Sequence, residues 1–370
     1  MMNQPKQKFL KVAYLNIRGQ TGLPLSKQLE IQDFISQYRL DILHLQEIDI
    51  KEDTFSECKR ICSDFNLLSN NSPSKYGTAS LVRSDFPIEE FKCDTRGRAL
   101  TFNINNLTFA NIYLQSGSDG LSRASRENYC AEVLPQLLIN SKDHGCIGGD
   151  FNCIINKSDA THNPENKMSP SLKRLVQTFD MHDSFRLLHP TLQMFSRYYG
   201  KDRCEGATRI DRNYQWGQLT VTQAQYVSIS FSDHMALVVT VLLPDPLSVI
   251  MSPKTKPLFK VRREVAEDQS FKERLQESMT SWLEVKALGL EVLPWWEIMV
   301  KPGIKKLAIQ RSKEINQEKK EEINLLLLRQ AYLTRKLVGY RSAQVLAELK
   351  TIQIQIEKWY QRESQKIQVQ

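Results

Sequence analysis

The sequence predicts an α+β sandwich followed by an α-helical C-terminal region. Three observations predict it: β-branched and aromatic runs dominate the first 245 residues, the runs adjoin in pairs without strict alternation with helices, and strand signals vanish after a proline-rich passage near residue 250. Antiparallel sheets between helices fit this order better than a doubly wound parallel sheet. We therefore expect two domains, residues 8–245 and residues 246–370.

The predicted strands of the first region are short, apolar and bounded by turn residues. Between them, residues 25–39 and 125–141 have apolar side chains near positions i, i+3 and i+4, which is typical of amphipathic helices. The strands are predicted at KFLKVAYLNI (8–17), LDILHLQE (40–47), GTASLVRS (77–84), ALTFNINNLTFANIYLQ (99–115), HGCIGGDFNCI (144–154), ATRIDRNYQ (207–215) and YVSISFSDHMALVVTVLL (226–243).

The second region has a different composition. From Phe271 onward it is rich in Leu, Ile, Glu, Lys, Gln and Arg, which predicts long helices. Residues 251–370 hold 23 Lys and Arg against 15 Asp and Glu, whereas residues 1–250 hold 27 of each, so the whole net charge of +8 lies in the second region. This asymmetry indicates an acidic partner, most simply a nucleic acid; a solvated basic face that aids solubility is the alternative.

The composition excludes several classes of protein. An apolar content of 41% with 25% charged residues is typical of a globular chain and not of a disordered one. The longest apolar run, near residues 235–243, is too short to span a membrane, and no signal peptide is visible. Seven cysteines without a CxxC pair indicate a reduced, intracellular protein, nuclear or cytoplasmic, that is not secreted.

Polar residues stand at the ends of the apolar runs or interrupt them. A carboxylate beside a buried strand loses hydration unless a cation or a hydrogen bond compensates. Any one of these residues alone is most simply a turn or core residue. Together they are the inventory for hydrolysing a phosphodiester with a hard divalent ion. The set comprises Asn16, Glu47, Tyr113, Asp150, Asn152, Asp211, Ser232, Asp233 and His234.

Six short motifs follow one another along the first region: LNIRG, LHLQE, ANIYLQSG, GGDFN, TRIDR and SFSDH. Over roughly residues 8–243 they resemble the endonuclease/exonuclease/phosphatase superfamily. Within it they are most similar to the apurinic-type endonuclease domain of LINE-type non-LTR retrotransposons. The resemblance implies a DNase I-like, four-layer α/β sandwich whose strand ends converge on one rim.

The resemblance also implies how the site holds its metal and activates water. Glu47 would hold Mg²⁺, with Mn²⁺ as an alternative ion, and Asn16 would assist it. Asp233 would complete the site near the metal. Asp150 would align or deprotonate the attacking water.

Other side chains would contact the phosphate. The resemblance implies that Asn152 and Tyr113 contact the scissile phosphate, and that His234 bonds it while Asp211 orients the imidazole ring. Ser232 and Arg209, which belong to the SFSDH and TRIDR motifs, are expected to help bind the substrate.

Two departures from the family pattern bear on the substrate. Repair-type apurinic endonucleases have a second acid where this chain has Arg18, and a basic residue there is common in LINE-type domains, so Arg18 favours the retrotransposon branch and is expected to bind substrate. Met194 and Phe195 stand where those domains tend to have Tyr-Thr-aromatic, so Ser196 would supply the hydroxyl that contacts phosphate. The basic stretch 196–209 corresponds either to a DNA-touching hairpin or to an ordinary solvated loop.

The implied activity is that of a Mg²⁺-dependent DNA endonuclease that nicks one strand. An abasic-site repair nuclease or a phosphatase of the same superfamily is one alternative, and a catalytically inactive nucleic-acid-binding remnant is another. Residues 246–370 resemble the basic helical linker that precedes the reverse transcriptase in such elements, and they contain no aromatic-x-Asp-Asp signature of a polymerase. Their charge adds RNA to DNA as a candidate partner.

Overall fold

The computed structural model describes residues 6–21, 23–49, 63–71, 77–200, 205–243, 249–250, 261, 263–289, 291–337 and 342–368. The strands of these residues are β1 (Lys6–Gln7), β2 (Phe9–Thr21), β3 (Ile42–Asp49), β4 (Phe65–Asn70), β5 (Gly77–Arg83), β6 (Ile88–Cys93), β7 (Ala99–Ile104), β8 (Leu107–Tyr113), β9 (His144–Asp150), β10 (His182–Asp183), β11 (Arg197–Tyr199), β12 (Gly206–Thr208), β13 (Asp211–Trp216), β14 (Thr220–Ser228), β15 (Met235–Leu242) and β16 (Val249–Ile250).

Among the described residues, five α-helices lie between the sandwich strands and five follow them in the chain. The α-helices are α1 (Leu25–Tyr38), α2 (Gly120–Asn128), α3 (Leu134–Leu138), α4 (Pro170–Thr178), α5 (Ser184–Leu188), α6 (Arg263–Glu267), α7 (Gln269–Ala287), α8 (Val292–Pro294), α9 (Lys301–Lys336) and α10 (Ala343–Gln368). One π-helical turn, Tyr129–Val133, joins α2 to α3, and another, Trp295–Val300, joins α8 to α9. The long helices predicted after Phe271 are confirmed.

Two sheets face each other across the main core. Their strand orders are β14–β15–β2–β3–β5–β4 and β10–β13–β9–β8–β7–β6. β2 pairs with β3 in parallel, as β8 does with β9, and the other neighbours are antiparallel. Large side chains from both sheets, among them Tyr14, Phe102 and Leu237, fill the space between them. Burial of these apolar surfaces provides the main driving force for the fold.

Helices cover the outer face of each sheet. Ile31 and Phe34 of α1 pack with Leu15 against the first sheet. Leu134 of α3 packs with Ile147 against the second sheet, on the side away from the main core. The result is a helix–sheet–sheet–helix sandwich of four layers, so the predicted fold class is confirmed.

Some strand boundaries differ from the sequence prediction. The run 226–243 forms two strands, β14 and β15, separated by the loop 229–234, and the run 207–215 spans β12 and β13. Neither β4 nor β6 was predicted from the sequence. Both lie at sheet edges, where many of their side chains face solvent, so neither has a clear apolar pattern.

The chain divides into two compact units. One comprises residues 1–253 together with 328–370, and the other comprises residues 254–327. The division thus groups residues 328–370 with the sandwich, whereas the sequence analysis placed them with the linker. In the second unit a small apolar cluster includes Val265, Phe271 and Ile315. There the guanidinium of Arg311 bonds the Asp268 carboxylate at 2.9 Å.

Two further features of the described residues are their helices, with regard to membrane spans, and their cysteines. Among the helices of the described residues, none combines the length and the apolarity needed to cross a bilayer. Cys93, Cys130, Cys146 and Cys153 are free thiols, and the other cysteines lie outside the described residues.

Candidate active site

Three predicted site residues lie in one row across the second sheet. Asp150, the last residue of β9, pairs with Tyr113 of β8 in parallel and with Asp211 of β13 in antiparallel register. Directly paired residues point to the same face of a sheet, with Cβ atoms about 5 Å apart. The register alone therefore brings the phenol and both carboxylates together at one edge.

The glycines before Asp150 allow this strand to approach its neighbours closely. A Cβ on Gly148 would lie 2.5 Å from the ring of Tyr14, and one on Gly149 would lie 2.0 Å from the carbonyl oxygen of Ile112. Gly149 also has φ +134°, which disfavours residues with side chains. The Gly-Gly pair of the GGDFN motif is thus required by packing, and it sets the position of Asp150.

A backbone irregularity directs Glu47 to the same edge. The pairing of β3 with β5 shifts register between Gln46 and Ile48, and Glu47 between them has φ 57°. A bulge re-aims a side chain, and a non-glycine residue in the left-handed region costs free energy that is commonly found at functional sites. The half-buried Glu47 carboxylate therefore turns toward the second sheet instead of continuing the strand pattern.

Asn16 connects the two sheets at this point. Its Nδ2 donates to Oε1 of Glu47 at 3.0 Å and to Oδ2 of Asp150 at 2.9 Å, and its Oδ1 accepts from the backbone N–H of Arg18 at 2.8 Å. The Asn16 side chain is fully buried. One amide therefore holds the two carboxylates at a fixed separation.

His234 and Asp211 form a buried pair. The imidazole Nδ1 lies 2.8 Å and 3.1 Å from the two carboxylate oxygens of Asp211. Burial alone lowers the pKa of His234, but the Asp211 carboxylate outweighs it and raises the pKa to about 9. The ring is therefore an imidazolium at neutral pH. Ligand atoms of Asp150, Asp211 and His234 all lie within 4.8 Å of one another. Because an imidazolium has no free lone pair for a metal ion, only the two carboxylates of this group could bind one.

Asp150 is the most perturbed carboxylate of the site. Burial and, after it, the neighbouring Asp211 carboxylate raise its pKa from 3.8 to about 7, against the lowering effect of His234. The amide Nδ2 of Asn152 donates to Asp150 Oδ2 at 3.0 Å and to the carbonyl of Leu114 at 2.9 Å. One amide hydrogen of Asn152 therefore orients Asp150 and the other bonds the Leu114 carbonyl, while the contact with phosphate expected from the sequence stays a prediction.

The phenol ring of Tyr113 packs against the guanidinium of an arginine at the site. The guanidinium of Arg98 lies 4.6 Å from the centre of the phenol ring. Burial raises the pKa of Tyr113, and the negative charges of Glu47 and Asp150 add to that effect. The phenol therefore keeps its proton at neutral pH and can donate it in a hydrogen bond.

Ser232 and Ser196 support the backbone and do not reach into the site. Ser232 Oγ donates to the carbonyl of Asn16 at 2.6 Å and accepts from the N–H of His234 at 3.0 Å. Ser196 Oγ accepts from the N–H groups of Ile210 and Asp211, both at 3.0 Å. Both serines are buried, so their expected contact with substrate is replaced by a structural role.

Arg209 is also structural. Its guanidinium bonds Asp159 at 2.9 Å and Asp183 at 2.7 Å, and its side chain is 1% exposed. Substrate cannot reach a cation that is buried and paired in this way, so the structure does not support the expected substrate contact. Burial alone would raise the pKa of Asp159. Three arginines, Arg209 and then Arg212 and Arg186, outweigh that effect and keep this pKa below its usual value.

Asp233 lies between two arginines. Its carboxylate accepts from Nε of Arg197 at 3.3 Å, and Nε of Arg18 lies 3.8 Å away. Burial raises the pKa of Asp233, but His234, Arg197 and Arg18 together bring it below the usual value. Asp233 thus contacts two guanidinium groups at the rim, and its expected position near the metal stays a prediction.

Arg197 is a site residue that the sequence analysis did not single out. Its backbone pairs with that of His234, and 38% of its side chain is exposed. It belongs to the basic stretch 196–209, in which β11 and β12 form an antiparallel hairpin; residues 201–204 of that stretch lie outside the described residues. The signal in the sequence that could have identified Arg197 was its position directly after Ser196, a predicted substrate-binding residue. Met194 and Phe195 are buried in the main core.

No protein-family model matches this chain, and no curated protein matches it by sequence.

Solved structures share its fold. The AP endonuclease LMAP from Leishmania major superposes with a TM-score of 0.52 at 17% identity, over 64% of this chain and 89% of its own. An AP endonuclease from Archaeoglobus fulgidus gives 0.52 at 16% identity, over 62% of this chain and 98% of its own. The 3′ phosphatase NExo from Neisseria, bound to a product DNA hairpin, superposes with a TM-score of 0.51 at 16% identity, over 62% of this chain and 98% of its own. The sandwich is therefore DNase I-like, as the motifs imply.

Proposed function

We propose that this protein is a metal-dependent endonuclease that hydrolyses a phosphodiester of DNA and nicks one strand. The observation that supports the proposal most directly is the meeting of Glu47 and Asp150, joined by Asn16, next to the Asp211–His234 pair. Residues from both sheets converge there on one edge. Carboxylates and a cationic hydrogen-bond donor arranged around one phosphate can catalyse phosphodiester hydrolysis.

The carboxylates fit a hard divalent cation. Glu47 and Asp150 offer only oxygen atoms, the ligand type that Mg²⁺ prefers, and Asn16 keeps them close without neutralising either. We assign Glu47 as the main ligand, with Asp150 near the ion. When bound, Mg²⁺ would stabilise negative charge on the phosphoryl oxygens, and Mn²⁺ is the alternative ion.

The remaining residues divide the chemistry of hydrolysis between them. Asp150, with a pKa of about 7, can accept a proton from the attacking water near neutral pH. The imidazolium of His234 uses Nδ1 for Asp211, so Nε2 is the nitrogen that can donate to a phosphoryl oxygen. Tyr113 can donate its phenolic hydrogen to the same phosphate. These donors would oppose the charge that develops in the transition state.

The charge at the rim favours a polynucleotide substrate. Arg18 and Arg197 flank Asp233 beside His234, so two guanidinium groups are placed to bind phosphates of a nucleic-acid strand. The proteins of similar fold are AP endonucleases and a phosphatase with DNA product, which supports DNA as the substrate. Arg18, in place of an acid, supports an endonuclease of the retrotransposon type over abasic-site repair. Residues 246–370 would add binding to DNA or RNA.

A plasmid assay tests the proposal. Supercoiled plasmid with Mg²⁺ should become open circles, and a chelator should abolish the reaction. Asp150→Asn should lower the nicking rate by roughly 100- to 1000-fold. Asp143→Asn, at an exposed residue directly before β9, is the matched control and should not alter the rate. Nicking without any metal, or equal rates for both variants, would refute the proposal. An oligonucleotide with one abasic site and another with a 3′ phosphate separate nicking from repair and phosphatase activity.

A further inference from the structure

The last helix, α10, packs with one face against the sandwich unit. The buried residues on that face recur at intervals of three and four, which places them in one stripe along the helix. The stripe consists of Leu346, Leu349, Gln353, Ile356 and Tyr360. Leu346 and Leu349 belong to the main core, in the same cluster as Met235 of β15. The helix is therefore part of the sandwich core and not a separate tail.

Between Leu346 and Tyr360, Gln353 is the polar residue of this stripe. Gln353 is 4% exposed, and its Nε2 donates to Oγ of Ser228 at 2.8 Å and to the carbonyl of Ile229 at 3.0 Å. A buried amide costs free energy unless it is hydrogen-bonded, so an apolar residue would be the simpler choice for packing alone. The two bonds place Gln353 at the point where β14 ends and the loop 229–234 begins.

That loop contains the residues of the SFSDH motif. The loop is also hydrogen-bonded to α1 through Ser230. The N–H and Oγ of Ser230 donate to the two carboxyl oxygens of Glu30 at 3.0 Å and 2.5 Å. Tyr360 of α10 donates to Asp33 of α1 at 3.0 Å, which links the two helices that hold the loop. The loop is thus bonded to α10 and α1 at its start and to Asn16 through Ser232 near its end.

A small cavity lies between α10 and the candidate active site. Ser232, Asp233 and His234 line one side of it, and Leu346, Leu349 and Gln353 line the other. Residues of α10 and of the loop that carries His234 thus line the same cavity. A change in the position of α10 would therefore reach His234 through the start of the loop.

We propose that α10 is a built-in support of the active-site loop and that Gln353 is the positioning residue through which it holds Asp233 and His234 in place. Gln353 does not touch substrate; it acts through the backbone of residues 228–229. The kinetic part of this inference rests on the proposed nuclease function. The structural part, an ordered loop, does not depend on it.

The test compares two full-length variants with the same substitution on the same helix. Gln353→Met keeps the length of the side chain and removes both hydrogen bonds, while Gln355→Met changes an exposed glutamine two residues away. Amide hydrogen exchange of residues 229–235 should be at least about tenfold faster in Gln353→Met than in the wild type, which corresponds to about 1.4 kcal/mol. Gln355→Met should exchange as the wild type does.

Kinetics separate positioning from general loss of fold. Gln353→Met should lower kcat for plasmid nicking by about tenfold with KM within about twofold, because substrate still binds while His234 is misplaced. Ser228→Ala removes one of the two acceptors without altering α10, so it should produce a smaller change in the same direction even if Gln353→Met proves unstable. Unchanged exchange and kcat in both variants would overturn the inference. A wild-type protein that does not nick DNA, but whose loop loosens in Gln353→Met, would refute the proposed function alone.

Discussion

The buried Asp211–His234 pair permits a quantitative prediction for Asp211→Asn. In the wild type the Asp211 carboxylate overcomes the effect of burial and raises the pKa of His234 from 6.5 to about 9. This difference corresponds to about 3 kcal/mol in favour of the imidazolium. The amide of asparagine has no charge, so burial would dominate and the ring would lose its proton at pH 7.5.

The loss should appear in the chemical step. If the imidazolium stabilises charge on the phosphate, about 3 kcal/mol corresponds to a fall in kcat of roughly 100-fold. The measurement is the initial rate of plasmid nicking at pH 7.5 with saturating Mg²⁺, with circular dichroism to establish that the variant is folded. Asp180→Asn is the matched control, since Asp180 forms an exposed pair with His182 at 3.7 Å. A folded Asp211→Asn variant within threefold of the wild-type rate would refute the reasoning.

The remaining predictions concern a rim arginine, a buried ion pair and a buried acid. Arg197→Gln should raise KM for plasmid about tenfold and reduce the slope of log affinity against log salt by about one; an unchanged slope would contradict a phosphate contact. Arg209→Met should lower the free energy of unfolding by about 3 kcal/mol or more, because it leaves the buried Asp159 with one cation fewer. The control in denaturant unfolding is Arg123→Met, at a half-buried arginine whose hydrogen bond to Asn166 is exposed, and equal midpoints for the two variants would contradict the prediction. Burial raises the pKa of Glu30 to about 7, so the folded state holds a proton that the unfolded chain loses above pH 4.5, and stability falls as pH rises through this window. Glu30→Gln should therefore gain about 3 kcal/mol over the wild type at pH 8 and little at pH 4.5, and melts that show equal gains at both pH values would contradict it.

Much of the fold could be predicted because it depends on local pattern. Buried strands such as β8 and β15 are nearly continuous apolar runs, since both of their faces are covered. Edge strands lack that signal, which explains why β4 and β6 were missed. The joining of α10 to the sandwich unit could not be predicted either, because an apolar stripe on a helix does not identify the surface against which it packs.

The candidate site was predictable as a set of residues but not as an arrangement. The motif resemblance selected Glu47, Asp150 and His234, and the structure brings their side chains to one edge. It did not reveal that Arg209 is buried in ion pairs or that Arg197 lies at the rim. Both are arginines in the same basic stretch, and only their burial and partners distinguish them.

By itself, the sequence determined the order of strands and helices and the chemical types available at strand ends, because these depend on nearest neighbours along the chain. Only the tertiary structure decided which charges face solvent and which face each other. The physical reason is that a charge gains or loses free energy according to neighbours from distant parts of the chain, such as Asn16 and Asp150, which are 134 residues apart and 2.9 Å distant.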